Sequence, residues 1–283
     1  MFWQTTRFRI DLTQPRVMGV VNVTPDSFSD GGQHPDAASA LAHCEQLLRE
    51  GADMLDIGGE SSRPGAQPVG ADEELRRVLP VLDGALKLGC AVSLDSAKPE
   101  VMRAALALGV DVINDINALR APGAAELIAA HPSCGVCLMH MRGEPRSMQS
   151  EPAYADVVRE VAEFLAARAE LLRRNGVDAQ RIVLDPGFGF GKTVAHNFEL
   201  LQRQRELLRL GYPLLAGWSR KSSLGAVTGR AANDRLVPSV AAALAAVQHG
   251  ASVVRVHDVA ATVDALKVWR AAGLPGRSQT IQS

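Results

Sequence analysis

The chain has 283 residues, 47% of them apolar and 22% charged, with a formal net charge of −1. The length suits a single eightfold barrel, which takes about 250 residues, and the balanced charge excludes a globally basic face for nucleic acid. The longest apolar run, 240–254, is broken by Gln248, His249 and Gly250 and is too short to span a bilayer. The opening MFWQTTRFRI is no signal peptide, so a soluble cytoplasmic protein is expected.

Along the chain, segment 8–15 is expected to form a short hairpin that plugs the bottom of a barrel. Eight short Val/Ile/Leu runs follow at 17–23, 54–58, 91–95, 112–116, 135–140, 182–185, 214–219 and 253–257. Helical patterns lie at 37–49, 71–88, 99–108, 121–130, 155–175, 194–210, 238–250 and 260–272. Gly51, Gly176 and Gly250 stand where a helix C-terminus needs a left-handed residue. With no linker or repeat, residues 1–275 are expected to form one domain and 276–283 a polar, disordered tail. A doubly wound sheet would normally carry G-x-G-x-x-G after its first strand. Here Val23 is followed by Thr-Pro-Asp-Ser-Phe-Ser-Asp-Gly-Gly, so the expected fold is a closed (β/α)8 TIM barrel.

Four cysteines occur, Cys44, Cys90, Cys134 and Cys137. The last two form a C-x-x-C that leads into a strand, not into the helix N-terminus a redox pair would use. Further zinc ligands at close spacing are missing, so all four are expected to be buried, inert thiols.

Polar residues end nearly every predicted strand: Asn22; Asp56; Asp95; Asn114 with Asp115; His140; Asp185; Ser219 with Lys221; Arg255 with His257. In a barrel those ends form the catalytic face. Alternation puts Arg255 with His257, Ser93 with Asp95, and Ser219 with Lys221 on shared faces. A lone Asp after a strand is often only a cap, and Asp115 suits that role. For the whole set, burial of so many polar groups without a ligand would cost more than capping returns. Acid and amide groups come from strands two, three, four and six, and cationic groups from seven and eight. The mouth should therefore hold a ligand with hydrogen-bond donors at one end and an anion at the other. The Gly/Pro-rich loops 24–34 and 60–70 are candidate lids. The run Gly187-Phe188-Gly189-Phe190-Gly191-Lys192 lacks P-loop spacing and reads as a close backbone approach that presents Phe190.

These motifs together resemble the dihydropteroate synthase family over nearly the full chain. The stretches that carry the resemblance are VNVTPDSFSDGG from Val21, DIGGESSRPG from Asp56, Leu94-Asp95-Ser96 with Lys98-Pro99, and Ile113-Asn114-Asp115. They continue with Leu138-Met139-His140-Met141, DPGFGFGK from Asp185, Ser219-Arg220-Lys221-Ser222 and Arg255-Val256-His257-Asp258. Ser62 departs from the family's usual Thr while keeping the hydroxyl.

The resemblance implies condensation of 6-hydroxymethyl-7,8-dihydropterin diphosphate with p-aminobenzoate, giving 7,8-dihydropteroate and diphosphate. It implies catalytic roles for Asp95, Lys221, Arg255 and His257, and pterin contacts from Asn114 and Asp185 in a pocket shared with Asp56, Met139, Gly217, Ser219 and Val256. It also implies Mg2+ on Asn22, substrate contacts from Ser61 and Gly189, and an arylamine site lined by Phe28, Ser62, Arg63, Pro64, Phe190 and Lys221, with Ser222 for the carboxylate, open to sulfonamides. Family members are commonly homodimers. The rival readings are a pterin-dependent corrinoid methyltransferase, which has no need for Arg63-Pro64 or the Ser-Arg-Lys-Ser turn, and a non-catalytic barrel, which would have lost charged pocket residues.

Overall fold

A computed structural model describes residues 1–24, 37–61, 66–143, 148 and 152–273. Ten strands occur among them. β1 (Phe2–Gln4) and β2 (Arg9–Asp11) pair antiparallel. β3 (Arg16–Asn22), β4 (Met54–Gly58), β5 (Ala91–Asp95), β6 (Val112–Asp115), β7 (Gly135–Met139), β8 (Ile182–Asp185), β9 (Leu214–Ala216) and β10 (Ala251–Val256) close into a barrel in chain order. Every barrel pairing is parallel. The (β/α)8 expectation is therefore correct.

The surrounding helices are α1 (Ala37–Arg49), α2 (Ala71–Ala85), α3 (Pro99–Leu108), α4 (Ala124–Ala130), α5 (Val157–Arg174), α6 (Val194–Gln202), α7 (Ser222–Thr228), α8 (Leu236–Gln248) and α9 (Val259–Ala271). Local chemistry explains several starts. Pro99 occupies the first turn of α3, where its missing N–H costs nothing. Asp156 accepts from the Val158 and Arg159 amides at the head of α5. Thr193 and His196 form a reciprocal cap on α6.

The core has two parts. The larger lies between strands and helices and includes Val21, Ile57, Leu94, Leu138, Leu184 and Val256. The smaller fills the barrel bottom with Met18, Met54, Ala91, Val112, Cys137, Val183, Leu215 and Val253, closed from below by Trp3 and Leu12. The Trp3 indole donates to the Arg181 carbonyl at 3.0 Å, so its one polar atom is satisfied as the ring is buried. Arg7 pairs with the fully buried Asp111 and fastens the hairpin to the barrel floor.

Some expectations need correcting. The hairpin begins at Phe2, not at residue 8, because Trp3 is the residue that fits the floor. The long patterns 71–88 and 194–210 end as tighter turns at Leu86–Leu88 and Gln204–Leu210. β9 stops at Ala216, and Arg220, with a left-handed φ of 60°, turns the chain into α7, which periodicity did not suggest. The alternation argument that put Ser219 and Lys221 on one strand face therefore fails. Cys44, Cys134 and Cys137 are buried as expected, and burial pushes Cys134 up to about 12, whereas Cys90 is only half-buried and departs from that expectation. The expected tail 276–283 lies outside the described residues.

Candidate active site

The barrel-floor ring defines which residues face inward. Two residues further along, alternation gives Val20, Asp56, Ser93, Asn114, Met139, Asp185 and Arg255, with Gly217 just past the end of β9. Two residues further again it gives Asn22, Gly58 and Asp95, while Ile116, Met141, Gly187, Ser219 and His257 lie just past the ends of β6 to β10. The floor is apolar, the next ring mainly polar, and the rim polar at Asn22, Asp95, Ser219 and His257. Register aligns Asn22 with Gly58 and Gly58 with Asp95 along the rim, and sets Asp95 beside Asn114 of the ring below.

Charge pairing organises the middle of the mouth. Arg255 donates from Nε to Asp56 at 2.5 Å and from Nη2 to Asp95 at 2.6 Å. Asn114 donates to the same Asp56 oxygen at 2.9 Å. The other oxygen of Asp56, and the Ser93 hydroxyl, are buried without a partner among the described residues. Such groups cost free energy until a donor reaches them. Burial pushes Asp95 up to about 7, with Asp56 adding to the rise and Arg255 opposing it. Burial also raises Asp185, against the Gly187 amide that Asp185 accepts at 2.7 Å and against the charge of Lys221.

The cationic side is built from two turns. The Ser219 hydroxyl oxygen accepts the His257 amide at 3.1 Å and lies 3.0 Å from His257 Nδ1. In the tautomer with its proton on Nε2, His257 Nδ1 accepts the Ser219 hydroxyl proton. Burial, then Arg255 and Arg220, hold His257 down to about 3, so it is neutral near pH 7. Lys221 caps α7, and its ammonium lies 4.0 Å from the centroid of the Phe190 ring. Phe190 packs with Met139, Met141 and Met148 as an apolar flank. Ser222 is exposed and opens α7, and Ser61 ends the described stem of the second candidate lid.

Several sequence expectations change. Asp115 faces outward and accepts from the Asn117 and Leu119 amides, which is the capping role set out as its alternative. His140 also turns away from the mouth, toward Lys192 and Phe164. The Val256 side chain enters the outer core, so only its main chain can serve the mouth. Arg255 is held between two carboxylates rather than open as a simple anion hook. Lys192 is buried among carbonyls and offers no phosphate contact. Phe28, Ser62, Arg63 and Pro64 lie outside the described residues. Among the described residues no three His, Cys, Asp or Glu side chains gather as a metal cage would require.

Sequence reasoning missed two positioning contacts, although their residues stand inside quoted motifs. Arg220 pairs with Asp258, joining the Ser-Arg-Lys-Ser and Arg-Val-His-Asp segments. Lys98 bridges Glu60 and the buried Glu74, joining the stem of the second candidate lid to the segment after Asp95.

The family model for pterin binding enzyme matches residues 18–257. The chain is 55% identical over 278 residues to the dihydropteroate synthase of Neisseria meningitidis serogroup B, covering 96% of this chain and 98% of that protein. The solved dihydropteroate synthase of Xanthomonas albilineans with 4-aminobenzoic acid gives a TM-score of 0.90 at 50% identity, over 96% and 99% of the two chains. The Burkholderia cenocepacia enzyme complexed with 7,8-dihydropteroate gives 0.88 at 51% identity, over 96% of each chain.

Proposed function

The chain belongs to the dihydropteroate synthases, a family of pterin-binding enzymes, and from that membership we propose how its barrel mouth joins 6-hydroxymethyl-7,8-dihydropterin diphosphate to p-aminobenzoate. The observation that carries the proposal is the inward ring of Asp56, Asn114 and Asp185, closed by Arg255. A pterin presents a guanidine-like edge of N–H donors beside a carbonyl. Asp185 accepts from that edge, and Asn114 offers both a donor and an acceptor. The unpartnered Asp56 oxygen adds a buried acceptor at the same level. A ligand lacking the ring donors would leave these groups unpaired.

The C–O bond to diphosphate breaks first, and the electron pair leaves with the diphosphate. Asp95 then faces the positive charge on the pterin methylene. The amine nitrogen of p-aminobenzoate attacks that carbon, a C–N bond forms, and the nitrogen loses a proton to water. Arg255 retains Nη1, His257 presents Nε2–H, and Lys221 adds a charge, so the three suit the departing diphosphate and the ring oxygen. Phe190 and Lys221 flank the arylamine, with Phe28, Ser62, Arg63 and Pro64 assigned there by family resemblance. Sulfonamides, which mimic the arylamine, compete for that site.

Mg2+ suits Asn22, a hard oxygen donor half-buried at the rim on the level of Asp95. With one amide ligand the ion would keep waters and share diphosphate oxygens, and its chemistry is to neutralise charge on the leaving group. The exposed apolar residues Val227, Leu236, Val237 and Val268, on or beside the last three helices, support a homodimer. No described helix is long and apolar enough to cross a membrane, and the free thiols suit a reducing cytoplasm.

The test is incubation of the protein with pterin diphosphate, p-aminobenzoate and Mg2+, followed by mass-spectrometric detection of dihydropteroate. Product formation above an Asp95→Ala control supports the proposal. No product under conditions where the substrates are stable overturns it.

A further inference from the structure

We infer that the buried Lys192 is a positioning residue that pins the 187–191 turn to the end of β7 and so sets Phe190 and Lys221 over the barrel mouth. The inference rests on the condensation proposed above. Lys192 is 2% exposed and buries an amine for which a methionine would supply similar bulk. Its Nζ lies 2.9 Å from His140 Nδ1, 2.9 Å from the Gly187 carbonyl and 3.1 Å from the Phe190 carbonyl. Burial pulls Lys192 down to about 7, with Asp185 opposing, and in the ammonium form its three protons match these three acceptors. A fourth contact, to the His140 carbonyl at 3.4 Å, is long. Burial lowers the pKa of His140, so its ring is neutral and can accept at Nδ1.

The contacts join two stretches of main chain that pack without side chains between them. A Cβ on Gly187 would come within 1.9 Å of the His140 carbonyl oxygen, and one on Gly191 within 2.3 Å of the Arg142 oxygen. Both glycines also have left-handed φ, at 71° and 60°. Two carbonyls of the turn and the His140 ring of the other stretch converge on the Lys192 amine, which ties one stretch to the other. From this anchor the turn reaches the site by three short links. Asp185 accepts the Gly187 amide. Asn197 accepts the Gly189 amide at 2.7 Å and donates to Ser223, two residues after Lys221. Phe190 receives the Lys221 ammonium on its ring face. A shift of the turn would therefore move the aromatic wall and the lysine together.

The experiment is steady-state kinetics of wild type, Lys192→Met, Lys221→Met and the double variant, with thermal melts alongside. Lys192→Met is expected to raise KM for p-aminobenzoate about tenfold or more, with a smaller change in kcat. If Lys192 acts through Lys221, the double variant falls well short of the product of the two single effects. Unchanged KM in Lys192→Met, or effects that multiply in full, overturns the inference. If Lys192→Met does not fold, His140→Leu decides, since it removes one acceptor of three. A rise of about threefold in the same KM supports the role, and wild-type KM refutes it. Wild type without product defeats the condensation proposal itself, whereas active wild type with an unaltered variant defeats only this inference.

Discussion

Arg220 reaches from the turn after β9 to Asp258 in the turn after β10, with Nη2 2.7 Å from Oδ1 and Nε 3.2 Å from Oδ2. Lys221 follows the first residue and His257 precedes the second, so this ion pair sets the distance between two site groups. Arg220 also holds a left-handed φ of 60°, and its amide donates to Ser239 at 2.9 Å. A non-glycine residue in that region is strained and needs such ties.

Asp258→Ala is accordingly expected to lower kcat/KM about tenfold, equivalent to about 1.4 kcal/mol of barrier. Asp264→Ala, which breaks an exposed pair with Lys267, is expected to leave both rate and melting unchanged. Comparable rates for the two variants would refute the positional role of Asp258.

Asp95→Ala should abolish measurable turnover while the barrel stays folded, because Asp95 faces the mouth and Arg255 keeps Asp56 as a partner. A loss of about 10² to 10⁴ is the scale for removal of an essential polar group from a reacting centre. Circular dichroism and melting curves separate chemistry from folding. Retention of most activity removes Asp95 from the mechanism.

The pH profile follows from the raised Asp95 carboxyl. Its value moves up from 3.8 to about 7, so the charged form prevails above pH 7 and the neutral form below. The kcat/KM should therefore fall about tenfold per pH unit on the acid side of 7. Stability moves the other way for this group. The folded state holds the proton more tightly, so its contribution to stability grows as pH falls from 7 toward 3.8. Residual activity of Asp95→Asn, where it can be measured, should lack the acid limb.

p-Aminobenzoate is expected to bind tightly only when pterin and diphosphate are already present. Calorimetry on the free protein should show little heat, and a clear isotherm should appear after both ligands are added. Equal affinity in the two titrations would argue against ordered assembly.

Trp3→Ala tests the floor of the barrel. The ring is fully buried, and its removal opens a cavity at the base of the strands. A loss of about 3–5 kcal/mol in unfolding free energy is expected, with KM values near wild type. Altered substrate affinity without destabilisation would place the hairpin in the site rather than beneath it.

Much of this architecture was legible in sequence because its causes are local. Met54–Gly58, Ala91–Asp95 and Ile182–Asp185 are short apolar runs bounded by turn residues, and each begins and ends as periodicity indicates. Eight such units in order imply the barrel, and polar residues at their ends imply the mouth. The limits of local reasoning appear where a partner from a distant element decides. Asp115 and His140 share the strand-end pattern of Asn114 and Met139, yet one residue of phase turns them to the outer face.

Sequence alone determined the βα order, the inward alternation on the strands and the family motifs, since each depends on spacing along the chain. Tertiary structure decided that Arg255 spans Asp56 and Asp95, 199 and 160 residues away. It likewise decided that Lys192 serves carbonyls rather than phosphate, and that Arg220 joins Asp258. The physical reason is the same in each case. A buried charge takes whichever partners closure of the barrel brings within hydrogen-bond reach, and composition does not encode that distance.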